Sequence, residues 1–253
     1  MELSDLKSRY DGFYSLAIYL PASEFARRLR VLSRRIRGKW FSYPTVLPKV
    51  SWKTLFSSRP IRLVETAKAS GNVRFSELGI LAKAAADVES GTEIIEIGTF
   101  DGRTALNLAL NSPPDCKIFT LDLPPDSPTL YKLDPSERPY VDKVPGVRFK
   151  NDSGSRRLYA GRIVQLIGDS ATFNWAEHLG KAGLIFVDGS HTYEYVMKDT
   201  DTAFKLVTKG GVILWHDYGI WPGVTQALEE FEAREKRHLL HIQGTSLVCA
   251  KVT

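Results

Sequence analysis

Cysteine and long apolar runs are what this 253-residue sequence has least of. Its two cysteines, Cys116 and Cys249, are too few and too far apart for a disulfide framework, so we expect buried thiols in a reducing, cytoplasmic compartment. The sequence has no run of about 18 apolar residues, which excludes a membrane-spanning helix. A chain of this length can bury a full core without disulfides or a structural metal. The composition therefore predicts a globular protein with one main domain.

Negative charge is scarce at the start of the chain. Residues 1–62 contain 13 Lys and Arg but 4 Asp and Glu, whereas residues 63–253 contain 21 and 25. In residues 24–39, EFARRLRVLSRRIRGK, apolar side chains recur at helical spacing among arginines, which predicts a basic amphipathic helix. Such a helix can pack on the main domain or lie on an anionic membrane surface; nucleic acid is the partner we expect least. We therefore divide the chain into a basic helical arm with a connector, residues 1–62, and a main domain, residues 63–253.

Short β-branched runs alternate with longer amphipathic runs from about residue 61 onward. This alternation is typical of an α/β fold, and we predict a Rossmann-like, doubly wound, mostly parallel sheet of seven strands. The last two strand-like runs, HLLHIQ and SLVCAKV, are separated by GT, which predicts an antiparallel hairpin. The five earlier strands are EIIEIG (93–98), KIFTLDL (117–123), IVQLIGD (163–169), AGLIFVD (182–188) and GVILWHD (211–217).

Each of the five earlier strands ends at or near an acidic residue. Because ligands of open α/β sheets bind beyond the carboxyl ends of the strands, these carboxylates are expected at one edge. Gly98 and Gly102, which follow the first of these strands, allow a tight turn and the close approach of a ligand. Their spacing differs from the GxGxxG fingerprint, which disfavours a nucleotide-dependent oxidoreductase. The acidic residues are Glu96, Asp122, Asp169, Asp188 and Asp217.

The segment EIGTFDG (96–102), with the acidic strand ends after it, resembles the class I S-adenosylmethionine-dependent methyltransferases over residues 61–253. The stretch IFVDGSHTYEYVMKDTDTAFKLVTKGGVILWHDY (185–218) is similar to their small-molecule O-methyltransferase branch, which includes catechol-, macrocin- and cephalosporin-hydroxylase-like enzymes. The resemblance implies methyl transfer from S-adenosylmethionine to a hydroxyl of a small molecule or sugar. The alternative is an RNA-directed methyltransferase, or a nucleic-acid or membrane-surface binder that uses the basic arm.

The resemblance also implies roles for the residues around the strand ends. Asp122 would hold the ribose hydroxyls of the cofactor, and Leu123 would pack beside the adenine. Asp169 would accept a hydrogen bond from the adenine amino group, with Ser170 alongside. Thr99 and Phe100 would offer main-chain amides to the carboxylate of the methionine part. The residues implied to line that methionine part are Glu96, Gly98, Thr99, Phe100 and Gly102.

A divalent metal and a base are implied at the other end of this edge. In the metal-dependent relatives, residues at the positions of Asp188 and Asp217 bind the ion, and two carboxylates suit Mg²⁺. Those relatives have Asp-Asn or two acids after strand five, whereas this chain has His216-Asp217-Tyr218, so a third hard ligand is missing. The ring nitrogen of His216 would favour a transition metal, and a metal-free site is the alternative. His191 occupies the place of the lysine base of catechol-type relatives. A histidine with the ordinary pKa of about 6.5 can take a proton from a hydroxyl, and hydrogen bonding to Asp188 or Asp217 is its structural alternative.

The proline-rich segment 124–148 directly follows the implied ribose-binding strand end. Loops of this length without internal structure are usually functional or disordered. We expect this segment to cover the acceptor pocket or to contact a second copy of the chain in a homo-oligomer. The remaining histidines, His178, His238 and His241, lie in helix or edge-strand contexts and are expected to be structural.

Overall fold

The computed structural model describes residues 45–65, 73–150 and 157–253, so the helix predicted over residues 24–39 lies outside the described residues. Within these ranges the strands are β1 (Lys49–Val50), β2 (Glu93–Ile97), β3 (Lys117–Asp122), β4 (Ile163–Ile167), β5 (Ala182–Val187), β6 (Val207–Trp215), β7 (Leu240–Ile242) and β8 (Val248–Lys251). They form one sheet in the order β1-β7-β8-β6-β5-β2-β3-β4. The pairs β2/β3, β2/β5, β3/β4 and β5/β6 are parallel, as expected for the predicted α/β fold.

The helices of the described residues are α1 (Trp52–Leu55), α2 (Phe75–Ala86), α3 (Arg103–Asn111), α4 (Arg138–Val141), α5 (Val147–Lys150), α6 (Arg157–Ala160), α7 (Tyr193–Leu206) and α8 (Pro222–Glu235). Two short 3-10 turns, Pro135–Glu137 and Ala176–His178, complete the described elements. None of these helices is long and apolar enough to cross a membrane.

Successive residues of the central strands pack into two different cores. Ile95 and Ile185 belong to a cluster with buried side chains of α7 and α8. Ile94 and Leu184 belong to a second cluster with buried side chains of α2 and α3. Since both faces of β2 and β5 are covered in this way, each strand needs apolar residues at consecutive positions. This explains the unbroken apolar runs that predicted these strands.

The carboxyl end of the chain forms the predicted hairpin. Strand β7 pairs antiparallel with β8, and β8 pairs antiparallel with β6, where Val212 lies opposite Lys251. The sheet has one strand more than the seven predicted, because β1, which lies in the connector and was not predicted, pairs parallel with β7. A strand of two residues is too short to produce an alternation of apolar and polar positions. Residues 45–62 therefore pack against the main domain, and Leu47 donates its N–H to the Tyr218 hydroxyl at 3.1 Å.

The cysteines and two of the three remaining histidines have structural surroundings. Cys116 and Cys249 are buried and unpaired, as expected, and burial raises the pKa of Cys249 to about 12. His178 Nδ1 lies 2.8 Å from the Glu93 carboxylate, and His241 Nε2 donates to the Thr245 carbonyl at 2.9 Å. His238 is exposed after α8.

Candidate functional site

A cavity lies at the carboxyl ends of the parallel strands. The segments that line it include Ile97–Asp101 after β2, Leu121–Leu123 at the end of β3, Gly168–Ser170 after β4 and Asp188–His191 after β5, together with Asp217. Most of the residues singled out in the sequence are thus brought together. Glu96, Gly102 and His216 are not part of the lining.

The glycine loop after β2 is shaped by contacts inside the protein. Gly98 has a φ of 99°, and a Cβ atom there would lie 2.1 Å from the Asp188 carbonyl oxygen. Gly102, with a φ of 89°, precedes α3, and a Cβ there would meet the Phe149 ring. Both positions therefore favour glycine for two reasons: the backbone is in the left-handed region, and a side chain would collide with a neighbouring group. Gly98 brings this loop against the loop that carries Asp188.

Asp122 binds the main chain of the glycine loop. Its Oδ2 atom accepts from the N–H groups of Thr99 at 3.1 Å and Phe100 at 2.6 Å, and its Oδ1 atom accepts from the N–H of Leu123 at 2.8 Å. The two amides that we expected to face the methionine carboxylate are thus held by Asp122. Burial raises the pKa of Asp122 to about 6, although these amides oppose the shift.

Glu96 lies behind the cavity rather than in it. Its side chain is buried and accepts a hydrogen bond from the Thr120 hydroxyl, which also bonds to the Thr99 hydroxyl at 2.7 Å. Burial, with the nearby acids Asp188 and Asp122, raises the pKa of Glu96 well above its ordinary value. Glu96 therefore supports Thr99 from behind the cavity, through the Thr120 hydroxyl.

Asp169 connects the fourth strand end to the segment 124–148. Its carboxylate accepts from the N–H of Ala171 at 2.9 Å and from the N–H of Leu130 at 2.7 Å. Its neighbour Ser170 also lines the cavity. Asp199 of α7 is buried close by, and burial raises its pKa to about 7. Asp199 was not singled out in the sequence, where it resembles any polar residue of an amphipathic helix.

Asp188, His191 and Asp217 form a cluster that can hold a cation. Each offers one ligand atom, and these atoms lie within 4.8 Å of one another. Asp217 Oδ2 is buried without a hydrogen-bond partner in the described residues and lies 3.1 Å from His191 Nε2. Two carboxylates, one of them with an unsatisfied buried oxygen, and one imidazole fit a divalent metal. Burial disfavours the Asp217 anion, but the adjacent His216 and His191 hold its pKa well below the ordinary value.

His216 lies behind this cluster, not among its cavity-facing atoms. Its Nδ1 atom is 3.0 Å from Asp188 Oδ1 and 3.3 Å from Asp217 Oδ1, and its Nε2 atom is 3.2 Å from Glu77 Oε2. Burial alone would lower the pKa of His216, but the aspartate charges raise it well above the ordinary value. His191, which lines the cavity and lies with the two aspartates in the cluster, supplies its nitrogen, whereas His216 does not line the cavity.

His191 is held between two carboxylates and an indole ring. Its Nδ1 atom donates to Glu137 Oε1 at 2.7 Å, its Nε2 atom faces Asp217, and its ring stacks on Trp221 with centroids 4.4 Å apart. Burial alone would lower the pKa of His191, but the carboxylates of Asp217 and Glu137 raise it to about 10. The structural alternative, an interaction with Asp217, is present as a close ion pair and not as a hydrogen bond.

Glu137 is a site residue that we did not predict. It is buried, lies in the 3-10 turn within the segment 124–148, and also accepts from the Ser190 hydroxyl at 3.1 Å. This segment, expected to lack internal structure, contains that turn and α4, and four of its residues line the cavity: Leu133, Glu137, Tyr140 and Val141. The sequence does contain a signal for this turn: D-P-S-E (134–137) has the spacing of a capping box, and the structure forms one there.

Comparison with known proteins identifies the fold and the domain. Residues 95–218 match the family described as a methyltransferase domain. The solved structure of the O-methyltransferase NovP is similar with a TM-score of 0.56 and 17% identity over 74% of this chain and 84% of that chain. An O-methyltransferase from Bacillus cereus, solved in complex with SAH, is similar with a TM-score of 0.50 and 17% identity over 73% and 84% of the two chains. No curated protein matches the sequence significantly.

Proposed function

We propose that this chain, whose residues 95–218 match a methyltransferase domain, moves the methyl group of S-adenosylmethionine to a hydroxyl of a small molecule or sugar. The observation that carries the proposal is the cavity, where the loops after four parallel strands and Asp217 after β6 bring carboxylates to one place. Ligands of open α/β sheets bind at this edge. The chemistry of the lining then decides between classes of acceptor.

The cofactor's own chemistry fits the half of the cavity near β2 to β4. When bound, S-adenosylmethionine supplies a methyl group already activated by its sulfonium. Asp122 would accept from the ribose hydroxyls, and its place in the lining together with the three main-chain N–H groups that hold its carboxylate supports this role. Leu123, Asp169 and Ser170 line the part expected to meet the adenine. Gly98, Thr99 and Phe100 line the part expected to meet the methionine portion.

The charge of the lining favours a neutral acceptor. Six carboxylates face the cavity, against one arginine and one histidine. A cationic sulfonium is attracted by such a lining, whereas the phosphates of RNA would be repelled by it. This is what supports a small molecule or sugar over an RNA acceptor. The carboxylates are Asp101, Asp122, Glu137, Asp169, Asp188 and Asp217.

The cluster of Asp188, His191 and Asp217 supplies the other half of the reaction. These residues would hold a divalent metal, which when bound lowers the pKa of a hydroxyl that it contacts. His191 has one nitrogen for one role: with the metal bound, Nε2 would be a ligand, and in a metal-free site Nε2 of the neutral ring would take the hydroxyl proton, while Nδ1–H donates to Glu137 in both cases. The segment 124–148, which contributes Glu137 and Tyr140 to the lining, would orient the acceptor and keep water out.

The test is binding followed by transfer of labelled methyl groups. Calorimetric titration with S-adenosylmethionine, with NAD as the control, should show binding of the first ligand alone. Incubation with methyl-labelled cofactor should then label catechols, sugars or sugar nucleotides from a hydroxyl-bearing panel, and leave an RNA pool unlabelled. Label in the RNA alone would reverse the assignment of the acceptor. No binding of the cofactor by the folded protein would overturn the proposed function as a whole.

A further inference from the structure

Glu77 is a buried carboxylate that belongs to none of the loops around the cavity. It lies in the first turn of α2 with 0% of its surface exposed. Its Oε1 atom accepts from the N–H and the hydroxyl of Ser246, at 2.8 and 2.9 Å, and its Oε2 atom accepts from the N–H of Arg74 at 2.9 Å. Ser246 lies between β7 and β8. Glu77 is therefore fixed from its own helix and from the hairpin.

The contacts of Glu77 lead to the cation cluster through one residue. Glu77 Oε2 lies 3.2 Å from His216 Nε2, and the opposite ring nitrogen of His216 lies 3.0 Å from Asp188 Oδ1 and 3.3 Å from Asp217 Oδ1. The side chains of Glu77, His216 and Asp217 are all at most 3% exposed. His216 thus spans the distance between a carboxylate on α2 and the two aspartates of the site.

Packing alone gives no reason for a charged residue at this position. The buried positions that follow Glu77 on α2 are apolar: Leu78, Ile80, Leu81, Ala82, Ala84, Ala85 and Ala86. Removing a carboxylate from water is unfavourable unless partners compensate it. Here the partners are the N–H and the guanidinium of Arg74, the latter at 3.6 Å, a serine of the hairpin, and a histidine whose other ring nitrogen meets two further carboxylates. The arrangement stabilises a particular orientation of the His216 ring.

We propose that Glu77 is a positioning residue for the cation site: through His216, whose Nδ1 forms close ion pairs with Asp188 and Asp217, it holds these two carboxylates in place for the cation. This inference rests on the proposed cation site of Asp188, His191 and Asp217. The partners that orient metal ligands typically affect metal affinity about 10- to 100-fold when they are removed. Glu77 would act on the cation alone, because its side chain does not line the part of the cavity assigned to the cofactor.

The experiment compares Mn²⁺ affinity with cofactor affinity in the full chain. Mn²⁺ binding is measured by electron paramagnetic resonance, and binding of S-adenosylhomocysteine by calorimetry. For Glu77→Gln, which keeps the size of the side chain, we expect Mn²⁺ to bind about 10- to 100-fold more weakly and S-adenosylhomocysteine to bind as in the wild type. The matched control is Glu93→Gln, which removes a carboxylate from another histidine, His178, at the start of β2. This control should leave both affinities unchanged.

Each outcome separates the positioning role from the proposed function. Absence of Mn²⁺ binding to the wild type would overturn the cation site and the positioning role with it, while S-adenosylhomocysteine binding would still report on the methyltransferase function. Equal Mn²⁺ affinities of the wild type and Glu77→Gln would overturn the positioning role alone. Parallel loss of both ligands in Glu77→Gln would reduce Glu77 to a structural residue and also overturn the proposal.

A second variant covers the case in which Glu77→Gln does not fold. Ser246→Ala removes one hydrogen bond to Glu77 Oε1 and leaves the main-chain bond and the charge in place. We expect a smaller loss of Mn²⁺ affinity with unchanged binding of S-adenosylhomocysteine. A Ser246→Ala protein with the Mn²⁺ affinity of the wild type would then overturn the proposal.

Discussion

The affinity for the cofactor should depend on pH through Asp122. Burial raises the pKa of this carboxyl to about 6, above the ordinary value of about 3.9 for aspartate. The ionised form accepts hydrogen bonds, and protonation removes the charge that strengthens them. At pH 7 most of the protein carries the anion, whereas at pH 5 only about a tenth does, given a pKa near 6. If the anion binds the ribose, the Kd for S-adenosylhomocysteine should rise about tenfold between pH 7 and pH 5.

Replacement of Asp122 by asparagine tests the same assignment at constant pH. The asparagine side chain keeps one oxygen acceptor but carries no charge at any pH. A hydrogen bond to a charged group contributes about 1.5–3 kcal/mol, so the loss of one such bond should weaken binding about 10- to 150-fold at pH 7. The variant should also lack the pH dependence of the wild type, and the two Kd values should approach each other at pH 5.

Calorimetry with S-adenosylhomocysteine at pH 5, 6 and 7 provides the measurement. Asp87→Asn is a suitable control, because Asp87 is an exposed carboxylate at the end of α2 that accepts from the Ser57 N–H. Ionisation of the ligand itself affects all three proteins equally, so the comparison between proteins isolates Asp122. The ribose assignment is refuted if Asp122→Asn shows the affinity and the pH dependence of the wild type.

Three further predictions concern the surroundings of the site. Burial raises the pKa of Asp199 to about 7, so above that pH the folded protein carries a buried, ionised carboxylate. Relative to the wild type, Asp199→Asn should therefore gain about 2–3 kcal/mol more unfolding free energy at pH 8 than at pH 5. Equal gains at the two pH values in urea titrations would contradict this. Gly98→Ala should lose S-adenosylhomocysteine binding and melt at a lower temperature, since its Cβ would lie 2.1 Å from the Asp188 carbonyl oxygen; a variant that binds like the wild type would refute the close approach. Cys116 and Cys249 should react with a thiol reagent only after unfolding, and fast reaction of the native protein would show that they are accessible.

The strand ends could be predicted from the sequence because their signal is local. A buried parallel strand reads as an apolar run, and the first polar residue after it marks the edge of the sheet. Asp122, Asp169, Asp188 and Asp217 were found by this rule, and the structure brings all four to the cavity. The same rule is wrong for Glu96. Glu96 also lies near the end of its strand, but its side chain bonds to the buried Thr120 and does not line the cavity.

The residues that hold the histidines could not be found in this way. Glu137 contacts His191 across 54 positions of the chain, and Glu77 contacts His216 across 139 positions. From the neighbouring sequence alone, each glutamate would be interpreted as a solvent-exposed residue or as part of a helix or turn cap. Only the packing of α2 against the sheet, and of the segment 124–148 against the cavity, removes them from water. Strand β1 was missed for a related reason, since its pairing with β7 joins parts of the chain about 190 residues apart.

The two histidines next to the aspartates differ in what orients them. His216 is held by Glu77. Glu77 in turn bonds to Arg74 at the start of its own helix and to Ser246 of the hairpin, so the orientation of His216 follows from the core of the fold. His191 is held by Glu137, which belongs to the segment that lines the acceptor side of the cavity. Because the Glu137 contact requires this segment to be packed against the loop after β5, the orientation of His191 depends on how the cavity is covered. The site therefore combines a carboxylate pair fixed by the core with a histidine whose position is coupled to the acceptor-lining segment.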